Sequence, residues 1–163
     1  MKRAFSAVLI TAFMTGCATM AVVQRPDFDP AEYAGLDERT GTGIVSGQVF
    51  LRTRGGEVRY GAGSEVILNP VTSYSRFWYE VGHVQRKQIS PPDLRLDRYL
   101  ITTQADGNGN FRFENVPAGD YYLTSSVFWE VPVGIYTSQP QGGFISEPVT
   151  VVDGSEIRQM LTR

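Results

Sequence analysis

The chain has 163 residues, a formal net charge of −2, 42% hydrophobic and 12% aromatic residues, one Cys and one His. That length holds one ordinary domain with an appendage, and the apolar content is enough for a packed core, which excludes wholesale disorder. A single Cys excludes an internal disulfide, a single His excludes metal sites built from several imidazoles, and near-neutral charge without a basic stripe excludes nucleic acid as the main partner.

Met1, Lys2 and Arg3 make a basic start, and Ala4 to Phe13 is an apolar run too short for the roughly 20 residues of a membrane-spanning helix. Residues 1–16 therefore read as a signal peptide. Met14-Thr15-Gly16-Cys17 sets small residues before the only cysteine. This resembles the lipobox of bacterial lipoprotein precursors, which implies that Cys17 becomes the diacylated first residue of the mature chain and anchors it in the cell envelope. Ala18 in place of Asp resembles outer-membrane sorting. Without Lys2 and Arg3, thirteen basic residues face seventeen acidic ones, a net charge of −4. Acyl chains rather than charge must then hold the protein to the membrane. From Cys17 to Gly43, Pro26, Pro30 and scattered acids show no sustained period, and the stretch is expected to be a flexible tether reaching roughly 25 to 30 Å.

From residue 44 the period is two. Val45, Gly47, Val49 and Leu51 share one face of a first strand. Further strands are predicted over Ser64 to Asn69, Tyr74 to Val81, Tyr99 to Gln104, Phe111 to Glu114, Tyr121 to Glu130, Ile145 to Val152 and Ser155 to Leu161. The Asp106-Gly107-Asn108-Gly109-Asn110 turn joins two of them as a hairpin. No segment carries a convincing helical period, so residues 44–163 are expected to form an all-β domain, an antiparallel β-sandwich of about seven strands. Phe111, Phe113, Tyr121 and Leu123 should point inward. Tyr121→Ala should then cost far more stability than Tyr122→Ala.

Val45-Ser-Gly-Gln-Val49, Gly63-Ser-Glu-Val-Ile-Leu68, Asp106-Gly107 with Gly109-Asn-Phe111-Arg-Phe113, and Val116-Pro-Ala-Gly119-Asp-Tyr121-Tyr-Leu123 resemble the carboxypeptidase regulatory-like domain. The resemblance covers roughly residues 44 to 161 and implies the prealbumin-like (transthyretin-like) sandwich. It says little about chemistry, because such domains serve as accessory, adhesive or assembly modules. Residues 82 to 98 depart from the pattern as an insertion where a short link is expected, and long loops of this kind are usually functional or disordered.

Catalysis finds little support. His83 has no positioned nucleophile beside it, and the enzyme families that share this fold type use several histidines. Asp106, Asn108 and Asn110 imitate the start of a calcium loop, but the following Gly and the twelfth-position Glu are missing, so no metal or cofactor is expected. The aromatics say more. The third strand puts Tyr74 and Trp78 outward, and the long strand puts Tyr122 and Phe128 outward beside polar residues. Together with His83, Arg86, Lys87 and Arg95 of the insertion they form the expected ligand or partner surface. Two function classes follow. The first is a non-enzymatic lipoprotein presenting its sandwich to an envelope protein partner. The alternative is a module that binds an envelope or external glycan through its outward aromatics. If the insertion serves binding alone, shortening residues 84 to 96 should barely move the melting temperature; if Ile89, Leu94 and Leu96 instead dock it over Trp78 as a lid, the melting temperature should fall steeply.

Overall fold

A computed structural model describes residues 21–36 and 40–163. The signal-peptide segment and Cys17 lie outside the described residues. Among the described residues eight strands form two four-stranded sheets. In the first sheet β1 (Gly43–Arg52) pairs antiparallel with β2 (Val58–Tyr60) and β5 (Asn110–Val116), and parallel with β8 (Glu156–Leu161). The second runs in the order β4 (Ile101–Gln104), β3 (Glu65–Pro70), β6 (Gly119–Pro132), β7 (Ser138–Val151), antiparallel throughout. The all-β sandwich read from the sequence is the fold. The parallel β1–β8 pair differs from the expected antiparallel scheme, because the last strand crosses from the second sheet to the first and so approaches β1 without a hairpin.

The alternation in β1 works as expected: Val45, Val49 and Leu51 are buried and face Phe111, Phe113 and Leu161 across the first sheet's inner surface. Val66, Leu68, Tyr121, Leu123, Val127 and Ile145 close the core from the second sheet. The Asp106 turn is held internally, for Asp106 Oδ1 accepts the backbone N–H of Asn108 at 2.8 Å and of Asn110 at 2.9 Å. Those bonds, led by that from the Asn110 side chain, lower the Asp106 pKa. Gly109 adopts φ 78°, and a Cβ there would lie 2.4 Å from the Val49 carbonyl oxygen, so only glycine closes this turn.

Two expectations fail and one open alternative is decided, for related reasons. Residues 73–84 are helical, as α1 (Ser73–Phe77) followed by a π-helical segment (Trp78–Val84), where a strand was expected. Thr72 caps α1 through a capping box with Ser75, and Tyr74, Phe77, Trp78 and Val81 recur at i, i+3, i+4 and i+7. The stretch also carries a period-two alternation, Ser75, Phe77, Tyr79 and Val81 against Tyr74, Arg76, Trp78 and Glu80, so both periods fit it locally. Next, the part of the expected tether from Val22 to Leu36 is docked. Val23 bridges Ile89, a 3-10 turn (Pro30–Tyr33) starts at an Asp29 cap, and Phe28 and Tyr33 are buried. Finally, of the two readings of the insertion the structure takes the docked one, as a cover lying on the second sheet, with Leu96 buried and Leu94 exposed. A second 3-10 helix (Leu94–Tyr99), capped by Asp93, buries Leu96 against Phe28, Tyr33 and Tyr74. Their rings pack closely, with Phe28 and Tyr33 centroids 4.6 Å apart and Phe28 and Tyr74 edge to face at 5.4 Å. This satellite core gives the strap and the cover a hydrophobic reason to stay down.

β6 and β7 pair along their whole length, from Gly119 opposite Val151 to Pro132 opposite Ser138. Their far end projects as a hairpin whose tip exposes Val133, Ile135 and Tyr136. No helix of the described residues is long and apolar enough to cross a membrane.

Candidate functional site

The outward face of the second sheet carries Tyr122 where the strand parity put it, but the helical cover lies on top and leaves it only 6% exposed. Tyr79 of the π-helical segment stacks on it, with ring centroids 4.4 Å apart and planes at 12°. Its helical neighbour His83 stacks on Tyr79 at 5.4 Å, and Trp78 meets Tyr122 edge-on at 6.2 Å. Sheet and cover are thus clasped through four rings. The wider turn of a π-helix brings Tyr79 and His83 onto one side, and such segments recur at functional sites.

One side of this ring stack opens into a cleft of about 560 Å³ along the outer edge of β7. Tyr79, His83 and Arg86 line it from the cover, Phe144, Ser146 and Glu147 from β7, and Arg163 from the chain end. Arg163 donates through Nη2 to the Gly142 carbonyl oxygen at 3.1 Å. Gly142 holds φ 112°, and a Cβ there would lie 2.0 Å from the Val127 carbonyl oxygen, so a side chain is excluded where the strand edge meets the cleft floor. Thr124 and Ser146 hydroxyls lie 2.9 Å apart beneath the cover.

Burial biases both ring groups toward their neutral forms. Burial pushes the Tyr79 phenol up, and the Glu147 carboxylate adds to this. Burial pulls the His83 imidazole down; Glu147 opposes, while Arg163 and Arg86 pull further down. A neutral imidazole and a neutral phenol each both donate and accept hydrogen bonds. Arg86, Arg163 and Glu147 add charged donors and acceptors of both signs.

Of the residues singled out from the sequence, the structure brings His83 and Arg86 into this cleft and sets Tyr122 under it. It does not bring the others together. Tyr74 is buried in the satellite core, where its hydroxyl accepts the Asp93 N–H at 2.8 Å. Trp78 covers the sheet beside Tyr122, and Lys87 is exposed. Arg95 pairs with Asp93 at 2.8 Å and lies over the Phe28 ring, holding the Asp93 carboxyl at about 2. Phe128 is exposed and meets Phe144 edge-on at 5.7 Å, at the margin of the cleft. Sequence reasoning missed Tyr79, Glu147 and Arg163. Tyr79 and His83 at i and i+4 were a readable signal once the stretch is taken as helical. Glu147 and Arg163 carry no local signal, since β7 and the chain end meet only in three dimensions. Among the described residues no group of three or more His, Cys, Asp or Glu converges to hold a metal.

No family model matches the chain, and no curated protein matches its sequence. Among solved structures the chain resembles a crystal structure from Pseudomonas aeruginosa described as that of a candidate carbohydrate-binding protein. The two share 29% identity and superpose with a TM-score of 0.73, over 85% of this chain and 99% of that one. A 9R-lipoxygenase from Cyanothece aligns at 14% identity and a TM-score of 0.28 over 78% of this chain and 17% of that one, too poorly to bear on fold or function. The chain therefore shares its overall fold with that protein along nearly all of that protein's length.

Proposed function

We propose that this protein is a non-enzymatic lipoprotein of the cell envelope that binds a glycan in the cleft between the π-helical segment and β7. The observation that carries the reading is the exposed side of the Tyr79–His83 stack facing Glu147, Arg86 and Arg163 across an open groove. A pyranose ring offers an apolar C–H face to an aromatic ring and hydroxyls to surrounding charged side chains, and this groove supplies both. The likeness to the Pseudomonas aeruginosa protein supports the same class of ligand. Acylation at Cys17, with sorting to the outer membrane, completes the reading and rests on the lipobox resemblance.

The test is binding of the purified protein to peptidoglycan fragments, lipopolysaccharide and external polysaccharides by glycan array, followed by calorimetry on any hit. Tyr79→Ala and Glu147→Gln should each weaken the hit about tenfold or more, with Glu147→Gln leaving the melting temperature unchanged. Binding to none of the three classes, or binding indifferent to both substitutions, overturns the assignment.

A protein-contact role is the second reading, favoured by one observation. From Val131 to Ser146 the chain carries no charged residue, and the hairpin tip within it leaves Ile135 90% and Tyr136 98% exposed. In-cell crosslinking through position 136 should then capture an envelope protein.

A further inference from the structure

A second cavity, sharing no lining residue with the glycan cleft, lies between the outer face of the second sheet and its cover. Its volume is about 220 Å³. Asn69 and Thr124 form part of its floor, Tyr74 and Trp78 one wall, Leu96 another, and Arg25 of the N-terminal strap reaches its rim. A cavity of about 150 Å³ with apolar walls admits benzene, so this one has room for a six-membered ring with one or two substituents.

Two polar groups in it lack what their chemistry asks for. Asn69 Oδ1 is buried and has no hydrogen-bond partner. Its neighbour across the strands, Tyr122, is committed to the ring stack. A buried carbonyl oxygen without a donor is rare in folded proteins and points to a donor brought from outside. Arg25 is the other. Its backbone N–H donates to Ser90 Oγ at 2.9 Å, its Nε donates to the Ser90 carbonyl at 2.7 Å, and its guanidinium carbon sits 5.5 Å over the Tyr74 ring. These contacts fix the guanidinium at the rim, yet no carboxylate among the described residues pairs with it. Burial lowers its pKa, as befits a cation drawn out of water without a counter-charge.

We propose that this cavity binds a small hydroxylated ring acid, its hydroxyl donating to Asn69 Oδ1, its ring between Trp78, Tyr74 and Leu96, and its carboxylate at Arg25. The three requirements are independent. The apolar walls select the ring, the orphan acceptor selects a donor, and the fixed guanidinium selects a planar anion that it can meet with two parallel N–H groups. The strap residues Val23 to Tyr33 are then a binding element as well as a structural one, because they deliver Arg25.

The test is a titration of the purified protein with 4-hydroxybenzoate, followed by the indole N–H resonances of Trp78 and Trp129 and by calorimetry. Trp78 should shift saturably while Trp129 does not. Benzoate, lacking the donor, and 4-hydroxybenzyl alcohol, lacking the charge, should each bind about tenfold more weakly or worse. Asn69→Leu removes the orphan acceptor at nearly constant volume, so it should keep or raise the melting temperature while losing about tenfold in affinity for 4-hydroxybenzoate and none for benzoate. Arg25→Gln should remove the preference for the acid over the alcohol. No saturable shift at millimolar probe, affinity unchanged by both substitutions, or an experimental structure soaked in the probe that shows only a water on Asn69 would each overturn the proposal. Glu147→Gln leaves this titration unaltered, so failure of the glycan reading and failure of this one are told apart.

Discussion

Tyr33 Oη and Thr72 Oγ1 lie 2.7 Å apart, both buried, joining the N-terminal strap to the residue that caps α1. Glu32 strengthens the junction, its carboxylate accepting the Ser73 N–H and hydroxyl. Strap and cover are therefore one unit, and Tyr33→Ala should destabilise the protein by about 3 to 5 kcal/mol, whereas Tyr33→Phe should cost about 1 kcal/mol through the lost hydrogen bond. Urea unfolding of both variants checks this. A cost near zero for Tyr33→Ala would mean that residues 22–36 do not dock.

Tyr121 and Tyr122 point to opposite faces of the second sheet and are both buried, Tyr121 in the sandwich core with its hydroxyl donating to the Pro117 carbonyl at 2.9 Å, Tyr122 beneath Tyr79 and Trp78. The large difference expected from the sequence therefore disappears. Both alanine substitutions should cost about 3 to 5 kcal/mol in chemical denaturation. Tyr122→Ala should also weaken glycan binding, because Tyr79 loses its support, and Tyr121→Ala should not.

Shortening residues 84 to 96 to a Gly-containing link removes the Ile89 bridge to Val23 and the buried Leu96. The melting temperature should fall by about 10 °C or more, since several kcal/mol of burial are lost from a domain of this size. The near-neutral outcome expected of a pure binding loop is replaced by this one. Calorimetry of the shortened chain decides between them.

His83 has a folded-state pKa below its unfolded value near 6.5. Above that pH the group contributes no pH dependence. As pH falls below it, the unfolded chain takes up a proton that the folded chain refuses, so stability declines down to the folded pKa and then levels. Melting temperatures at pH 7.5 and 5.5 should therefore drop further for the wild type than for His83→Gln. Equal drops would show that the stacked imidazole is freely protonated.

The fold was largely legible because its signals are local. Val45, Val49 and Leu51 alternate along one strand, and the Asp106 turn satisfies its own carboxylate, so neither needs a distant partner to be read. Half of the candidate site was legible in the same way, through His83, Arg86 and the outward parity of Tyr122. Tyr74 to Val81 reads as a strand despite its capping box and helical spacing of aromatics, because the same residues satisfy both periods and only the sheet beneath them rewards the helical one.

What the sequence by itself determined was the period-two pattern, the positions of the tight turns, and the inward apolar face and outward aromatics of the long strand, all set by steric and hydrophobic rules acting within a few residues. What only the tertiary structure decided was who covers the second outward face. Tyr33 meets Thr72, Val23 meets Ile89 and Tyr79 meets Tyr122 across 39, 66 and 43 positions of chain. Tyr79 meets Tyr122 because an aromatic face left by the sandwich lowers its free energy by excluding water, whereas the Tyr33–Thr72 hydrogen bond and the Val23–Ile89 backbone bridge tie the distant segments that do so to one another.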